Sequence, residues 1–238
     1  MSKGRLNKRF YESVTVDKIV EDDAIAWRVL LDGRQIRTPG KLLLTFPTKT
    51  LAQRVAGEWE AQDERINPSL MPLTRLFNVA TEQTPSRRED LFAEARRYAA
   101  TDLISYRAPN PRILKERQSA AWDVWQDWAA AQGITLNVTD ALQAIDQPEG
   151  SLDAVEAFAR QLDDVRLTLF VHLIAVYGSV VLSLAVLKGV LSAEAAFDIS
   201  RVDADYQIEL WGEDEQQADI TNALRAETIA LGGILEIL

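Results

Sequence analysis

The sequence predicts an α+β protein, with a small N-terminal antiparallel sheet and one helix followed by an all-α orthogonal helical bundle. Three observations carry this. Residues 10–46 hold short runs of β-formers punctuated by Asp32-Gly33 and Pro39-Gly40. After Pro85 the apolar residues recur at helical spacing. Residues 167–187, LTLFVHLIAVYGSVVLSLAVL, contain no charged side chain, and a helix apolar on every side belongs inside protein or lipid. The two styles of sequence meet at Thr84-Pro85-Ser86, which divides the chain into a mixed strand and helix domain, 1–84, and a helical domain, 85–238.

In chain order, residues 1–9 read as a loose basic tail. Tyr11, Val14 and Val16 open a first strand, and residues 24–31 form a second. Asp32-Gly33 is a tight hairpin turn, since glycine tolerates positive φ, and residues 34–38 return as a third strand. Residues 42–46 are a further strand. Thr48 is placed to cap a helix whose Leu51, Ala52, Val55, Ala56 and Trp59 share one face. Asn67-Pro68 and Met71-Pro72 predict an extended connection, because a residue before proline avoids the helical region. Leu73, Leu76, Phe77 and Ala80 mark a short helix.

Ser86-Arg87-Arg88-Glu89 has the form of a capping box ahead of the stripe Leu91, Phe92, Ala95 and Tyr98. Pro109 and Pro111 interrupt the pattern. Residues 113–132 make a helix whose Trp122, Trp125 and Trp128 are read as core, ended by Gly133. Residues 138–145 fit no single element, and 151–162 form another helix. The run 167–187 is long enough for a bilayer, which needs about 20 apolar residues. Thr168, His172, Ser179 and Ser183 make it unusually polar for that role, and Gly178-Ser179 reads as a stop followed by a cap. A buried pair of helices is the reading adopted, with a membrane segment as the alternative. Residues 192–210 read as one helix, and a last helix starts near Asp214 and is weakened by Gly232-Gly233.

Composition narrows the chemistry. The chain has 238 residues, 47% hydrophobic and 26% charged, as in globular proteins. With no cysteine there is neither a disulfide nor a thiolate site, and any histidine chemistry depends on His172 alone, inside the apolar run. No acid lies near His172 in sequence, so it is read as a core residue. No phosphate loop, dinucleotide fingerprint or G-x-S-x-G elbow occurs, and Glu213-Asp214-Glu215 does not match a calcium loop. No catalytic residue, metal ligand or cofactor is expected. The basic N-terminus lacks the apolar stretch of a secretory signal, which predicts a cytoplasmic bacterial protein or a mature organellar form.

The net charge of −10 is unevenly distributed: residues 192–238 carry eleven acids against Arg201 and Arg225, or −9. An acidic end disfavours nucleic acid and anionic membrane and favours a basic protein surface; a purely solubilising face is the alternative. On a continuous helix 192–210, Glu194, Asp198, Asp205 and Glu209 fall within roughly 60° of one another, beside an apolar face of Ala195, Ile199, Val202, Tyr206 and Leu210. Trp211-Gly212 and Glu213, Asp214 and Glu215 follow. Asp205, Glu209, Trp211, Glu213, Asp214 and Glu215 are therefore candidate partner-binding residues, an aromatic beside acids being a common hot-spot composition. Alternatively Trp211 fills the core and the acids face water.

Several runs, taken in order, resemble one family. They are L-D-G-R-x-I-x-T-P-x-K at 31–41, E-W-x-x-Q at 58–62, M-P-L-T-R-L at 71–76 and T-D-L-I-S-Y-R-A at 101–108. Q-x-x-x-W with a following tryptophan at 118–125, G-S-x-V-L at 178–182 and D-x-x-Y-Q-x-x-x-W-G at 203–212 complete the set. The chain is similar to the assembly chaperones of the F-type ATP synthase that hold the free α subunit of its catalytic head. The resemblance implies a mixed domain and a helical bundle, no enzymatic activity, and binding of unassembled α, as a monomer without stable membrane insertion, until β displaces the chaperone. It also maps two functional positions, one onto Trp59 and one onto an acid after Trp211-Gly212, taken as Glu215 within the all-acid stretch 213–215. Ser105 stands where many relatives have cysteine, which argues against a thiol role. Trp59 has a second reading as a sheet-facing core residue. Two other functions stay open on the residues alone: a hydrolase using the C-terminal carboxylates, and a peripheral membrane protein inserting 167–187.

Overall fold

A computed structural model describes residues 6–21, 24–141 and 143–238; residues 1–5 of the expected tail, 22 and 23 between the first strands, and 142 lie outside the described residues. The chain forms two compact units, one running to Ser86 and including Gly233–Leu238, the other Arg87–Gly232.

The first unit is built on an antiparallel sheet of β1 (Val14–Glu21), β2 (Ala24–Leu31) and β3 (Arg34–Gln35), in that order. Asp32 and Gly33 have φ of 47° and 77°, the pair of left-handed residues that matches strand twist in a two-residue hairpin. The register pairs Val14 with Leu31 and Val16 with Val29, so these four share a face, on which Val29 and Leu31 are buried. Helix α1 (Lys49–Glu60) packs on β1 and β2 and buries Leu51, Ala52 and Val55, with Thr48 capping it through a bond from the Leu51 N–H. The expected strand 42–46 is not continuous. Arg37 pairs with Leu43 and Trp27 with Phe46 as isolated bridges, and between them the Gln35 side chain takes the Leu44 carbonyl (2.9 Å).

The described part of the expected tail is also not loose. Arg9 N–H donates to the Glu64 carbonyl and Ile66 N–H to that of Asn7, both at 2.9 Å, so residues 6–9 run as an edge segment beside 64–66. The connection after Asn67 is a tight 3-10 turn, Pro68–Leu70, rather than extended chain, because the Asn67 side chain accepts from the Ser69 N–H. Helix α2 (Pro72–Glu82) begins with no cap of its own. Glu58 supplies one: its carboxylate accepts from Leu73 N–H (2.7 Å), Thr74 N–H (2.8 Å) and the Thr74 hydroxyl (2.7 Å), while burial pushes its pKa up. Gly233–Leu238 joins this unit through Thr48, whose hydroxyl donates to the Ile237 carbonyl, and Arg54, which donates to that of Gly233.

Helix α3 (Thr84–Ala100) starts ahead of the expected capping box; Ser86 lies in its first turn and donates to the Gln83 carbonyl instead of capping. The second unit continues with α4 (Arg112–Ala131), α5 (Glu149–Arg160), α6 (Asp164–Tyr177), α7 (Val180–Leu187), α8 (Ala193–Ser200), α9 (Val202–Trp211) and α10 (Glu215–Gly232). The apolar run is the pair α6 and α7. Gly178 turns left-handed at φ 65° and Ser179 caps α7 through the Leu182 N–H. Leu167, Leu169, Phe170, Leu173, Val181 and Leu182 are wholly buried, so the run is the core of this unit. No described helix is long and apolar enough to cross a membrane.

Residues 192–210 form two helices, not one. They break at Arg201, next to the Ile199 carbonyl, which accepts the indole N–H of the fully buried Trp122 (2.9 Å). Gly232 is more than a weak helix former: a Cβ there would lie 2.2 Å from the Ala193 Cβ, so its absence lets α10 cross α8 closely.

Asp102 has no solvent exposure and joins two distant segments. It accepts from Val180 N–H (2.7 Å) and Val181 N–H (3.1 Å) at the start of α7, and from Ile104 N–H (3.2 Å) in its own 3-10 turn, Leu103–Ser105. Burial pushes its carboxyl from the ordinary 3.8 up to about 6, against the lowering effect of these bonds and of Ser179.

Two outcomes follow. Gly232→Ala should lower stability in urea unfolding by about 1–3 kcal/mol, the usual cost of overpacking, despite alanine's higher helix propensity. Asp102→Asn replaces an acceptor with a donor facing N–H groups and should cost about 1–3 kcal/mol. Because the folded pKa of Asp102 is raised, its contribution is fully present below about 3.8 and is lost as pH rises through about 6. The stability gap between wild type and Asp102→Asn should therefore narrow from pH 4 to pH 7; a gap that widens refutes the dominance of burial.

Candidate functional site

The acidic candidates do not form one stripe. The break at Arg201 separates them, and most are paired. Glu194 and Asp198 both meet Arg225 (2.7 and 3.1 Å), Asp205 meets Arg201 (3.3 Å), and Glu209 meets Arg117 (2.8 Å), whose guanidinium also lies over the Tyr206 ring. Asp214 caps α10, accepting from the Gln217 N–H (2.9 Å). Glu213 and Glu215 are exposed and form no ion pair with another described residue. Trp211 is 81% exposed, so it does not fill the core; its indole N–H donates to the Gln207 side chain (3.1 Å), which holds the ring at the end of α9. Leu210 beside it is 55% exposed, and every residue from Glu209 to Gln217 is exposed. The corner between α9 and α10 is thus a wet aromatic and leucine flanked by free acids.

Trp59 lies elsewhere, in the first unit. It is half-buried at the end of α1, and its Nε1 is buried with no acceptor among the described residues. Its carbonyl accepts the Tyr11 hydroxyl (2.6 Å), and its ring meets Tyr11 edge-on at 5.7 Å. Trp59 lines a cleft of about 580 Å³ with Phe10, Tyr11, Asp32, Arg34 and Arg37. It is neither a sealed core residue nor a free surface ring.

Phe10, Arg34 and Arg37 were not singled out by sequence reasoning. Phe10 precedes the first strand, and its 72% exposure depends on how the segment before it is pinned. Arg34 belongs to the L-D-G-R run, which was the one available signal. His172 is half-buried, 3.8 Å from Glu227 on α10. Among the described residues, no group of three or more His, Cys, Asp or Glu side chains could hold a metal ion.

The sequence profile of the ATP12 chaperone protein family matches residues 8–130. The mitochondrial protein atp12 of Schizosaccharomyces pombe is 23% identical over 241 residues, covering 96% of this chain and 81% of that protein. Crystal structures of Paracoccus denitrificans Atp12, one of them a mutant with an aspartate replaced by lysine, superpose with a TM-score of 0.86 at 36% identity, covering 96% of this chain and 97% of theirs. The Agrobacterium tumefaciens protein Atu1473 superposes with a TM-score of 0.88 at 33% identity, covering 97% of this chain and 86% of that one.

The unpaired Nε1 sets an expectation for Trp59. Trp59→Phe removes a buried donor that bonds to nothing described, so the lost desolvation penalty offsets the lost ring area. Its stability in urea should stay within about 1 kcal/mol of wild type; a larger loss shows that the indole N–H has an unseen partner.

Proposed function

Because this chain belongs to the ATP12 chaperone protein family, we propose that it captures the unassembled α subunit of the F-type ATP synthase catalytic head, masks its subunit interface and yields it to β. The family is one of chaperones, not enzymes. A lone α subunit exposes the surface it would bury against β, and an open apolar patch of that kind is an aggregation hazard until covered.

The observation that carries this reading is the corner at Trp211. A tryptophan left 81% in water, held by its own hydrogen bond and flanked by Leu210, Glu213 and Glu215, has the composition of an interface hot spot. The acids steer approach toward a basic protein surface and repel nucleic acid and anionic lipid. Trp59, on the wall of the other unit's cleft, is the second contact. The chain acts as a monomer, in a bacterial cytoplasm or a mitochondrial matrix.

The test uses purified full-length chain and free α subunit. Wild type should retain α in a pull-down, and Trp211→Ala should weaken capture at least tenfold, since a hot-spot side chain contributes about 2 kcal/mol or more. Thermal stability should hardly move, because an exposed substitution typically shifts it by less than about 0.5 kcal/mol. Glu213→Lys should slow association and flatten its salt dependence. Wild type that ignores free α overturns the proposal.

A further inference from the structure

We propose that the cleft of the first unit receives a segment of the client polypeptide in which an apolar side chain stands beside a carboxylate. This rests on the chaperone reading and adds to it the chemistry of the segment recognised.

At about 580 Å³, the cleft lies within the range of roughly 300–1,000 Å³ typical of binding clefts and has room for one or two side chains. One wall is aromatic and continuous: Phe10 meets Tyr11 edge-on at 5.3 Å, and Tyr11 meets Trp59 at 5.7 Å. Phe10 is 72% exposed, yet it is not on a fraying end. Arg9, before it, is tied by its N–H to Glu64 and by its guanidinium to the Glu60 and Gln62 carbonyls. Tyr11, after it, is buried and bonded to Trp59. A large ring in water whose two neighbours are held is a largely preformed apolar contact, with little backbone ordering left to meet on binding.

The charged lining is two guanidiniums, Arg34 and Arg37, against one carboxylate, Asp32. Asp32 is already engaged by the Ser13 N–H and the Ser13 hydroxyl (both 2.9 Å) and by the Glu12 N–H (3.1 Å), which, with the nearby Arg34 charge, hold its pKa below the usual range. Arg34 forms no ion pair with a described acid, and Arg37 commits one N–H to the Lys41 carbonyl (2.9 Å). The groups left to meet an occupant are therefore the two guanidiniums, and a planar guanidinium is best met by a carboxylate. The guanidiniums call for a carboxylate and the aromatic wall for an apolar side chain, and an acidic, apolar peptide supplies both.

The experiment compares two fluorescein-labelled 12-residue synthetic peptides binding to the full chain by anisotropy. Each carries a Leu-Phe pair, flanked by glutamates in one and lysines in the other. The glutamate peptide should bind about tenfold more tightly, with the advantage shrinking at higher salt. Arg34→Glu with Arg37→Glu should invert the preference, and Phe10→Ser should weaken both peptides. All three positions are exposed, and an unchanged melting temperature confirms the fold. Equal binding of the two peptides, no binding of the glutamate peptide, or a preference that survives the double charge reversal overturns the inference. The chaperone reading fails separately: if wild type captures no free α while the glutamate preference holds, that reading falls and the cleft stands, and the reverse pattern removes the cleft alone.

Discussion

The second unit depends on a carboxylate that water cannot reach. Moving a charged group out of water costs several kcal/mol even after relaxation, so such a group persists only where its surroundings are arranged around it. Around Asp102 those surroundings are the first N–H groups of α7, at the positive end of the helix, and the Ile104 N–H of its own turn. Leu103 N–H adds a bond to the Gly178 carbonyl (2.9 Å). The bend between the two central helices and the loop carrying Asp102 are thereby fixed together. Glu58 does the same in the first unit, capping α2 in place of a local side chain. In each unit a helix start is anchored by an acid from a separate segment.

This explains which parts of the fold were legible. The Thr48 cap, the Asp32-Gly33 turn and the Gly178-Ser179 stop and start depend on neighbours within a few residues, and all three stand where the sequence puts them. What escaped was set at a distance. The acids that start α2 and α7 lie 15 and 78 residues from the N–H groups they bind. The apolar and acidic spacing of 192–210 fits one helix, yet the Ile199 carbonyl at the break is engaged by Trp122, 77 residues away. Likewise a strand-like 42–46 loses its ladder to the Gln35 side chain.

The same distinction applies to the candidate site. Of the shared runs, E-W-x-x-Q and M-P-L-T-R-L meet through Glu58 and Thr74, and T-D-L-I-S-Y-R-A meets G-S-x-V-L through Asp102 and Val180. Q-x-x-x-W meets the run ending in W-G where Gln118 donates to Asp203 (2.6 Å). Most of those residues thus brace the frame. Trp211 is the exception, with its ring in solvent. The charge excess was readable from a count of acids; that Arg225, Arg201 and Arg117 neutralise much of it was not, because pairing depends on which helices lie side by side.

The return of Gly233–Leu238 to the first unit makes that unit discontinuous in sequence. Thr48 and Arg54 hold that strap across 189 and 179 residues of chain. Closing so long a loop costs entropy before any contact rewards it, so the sheet unit carries a nonlocal bond that the helical unit, built from one continuous stretch, does without.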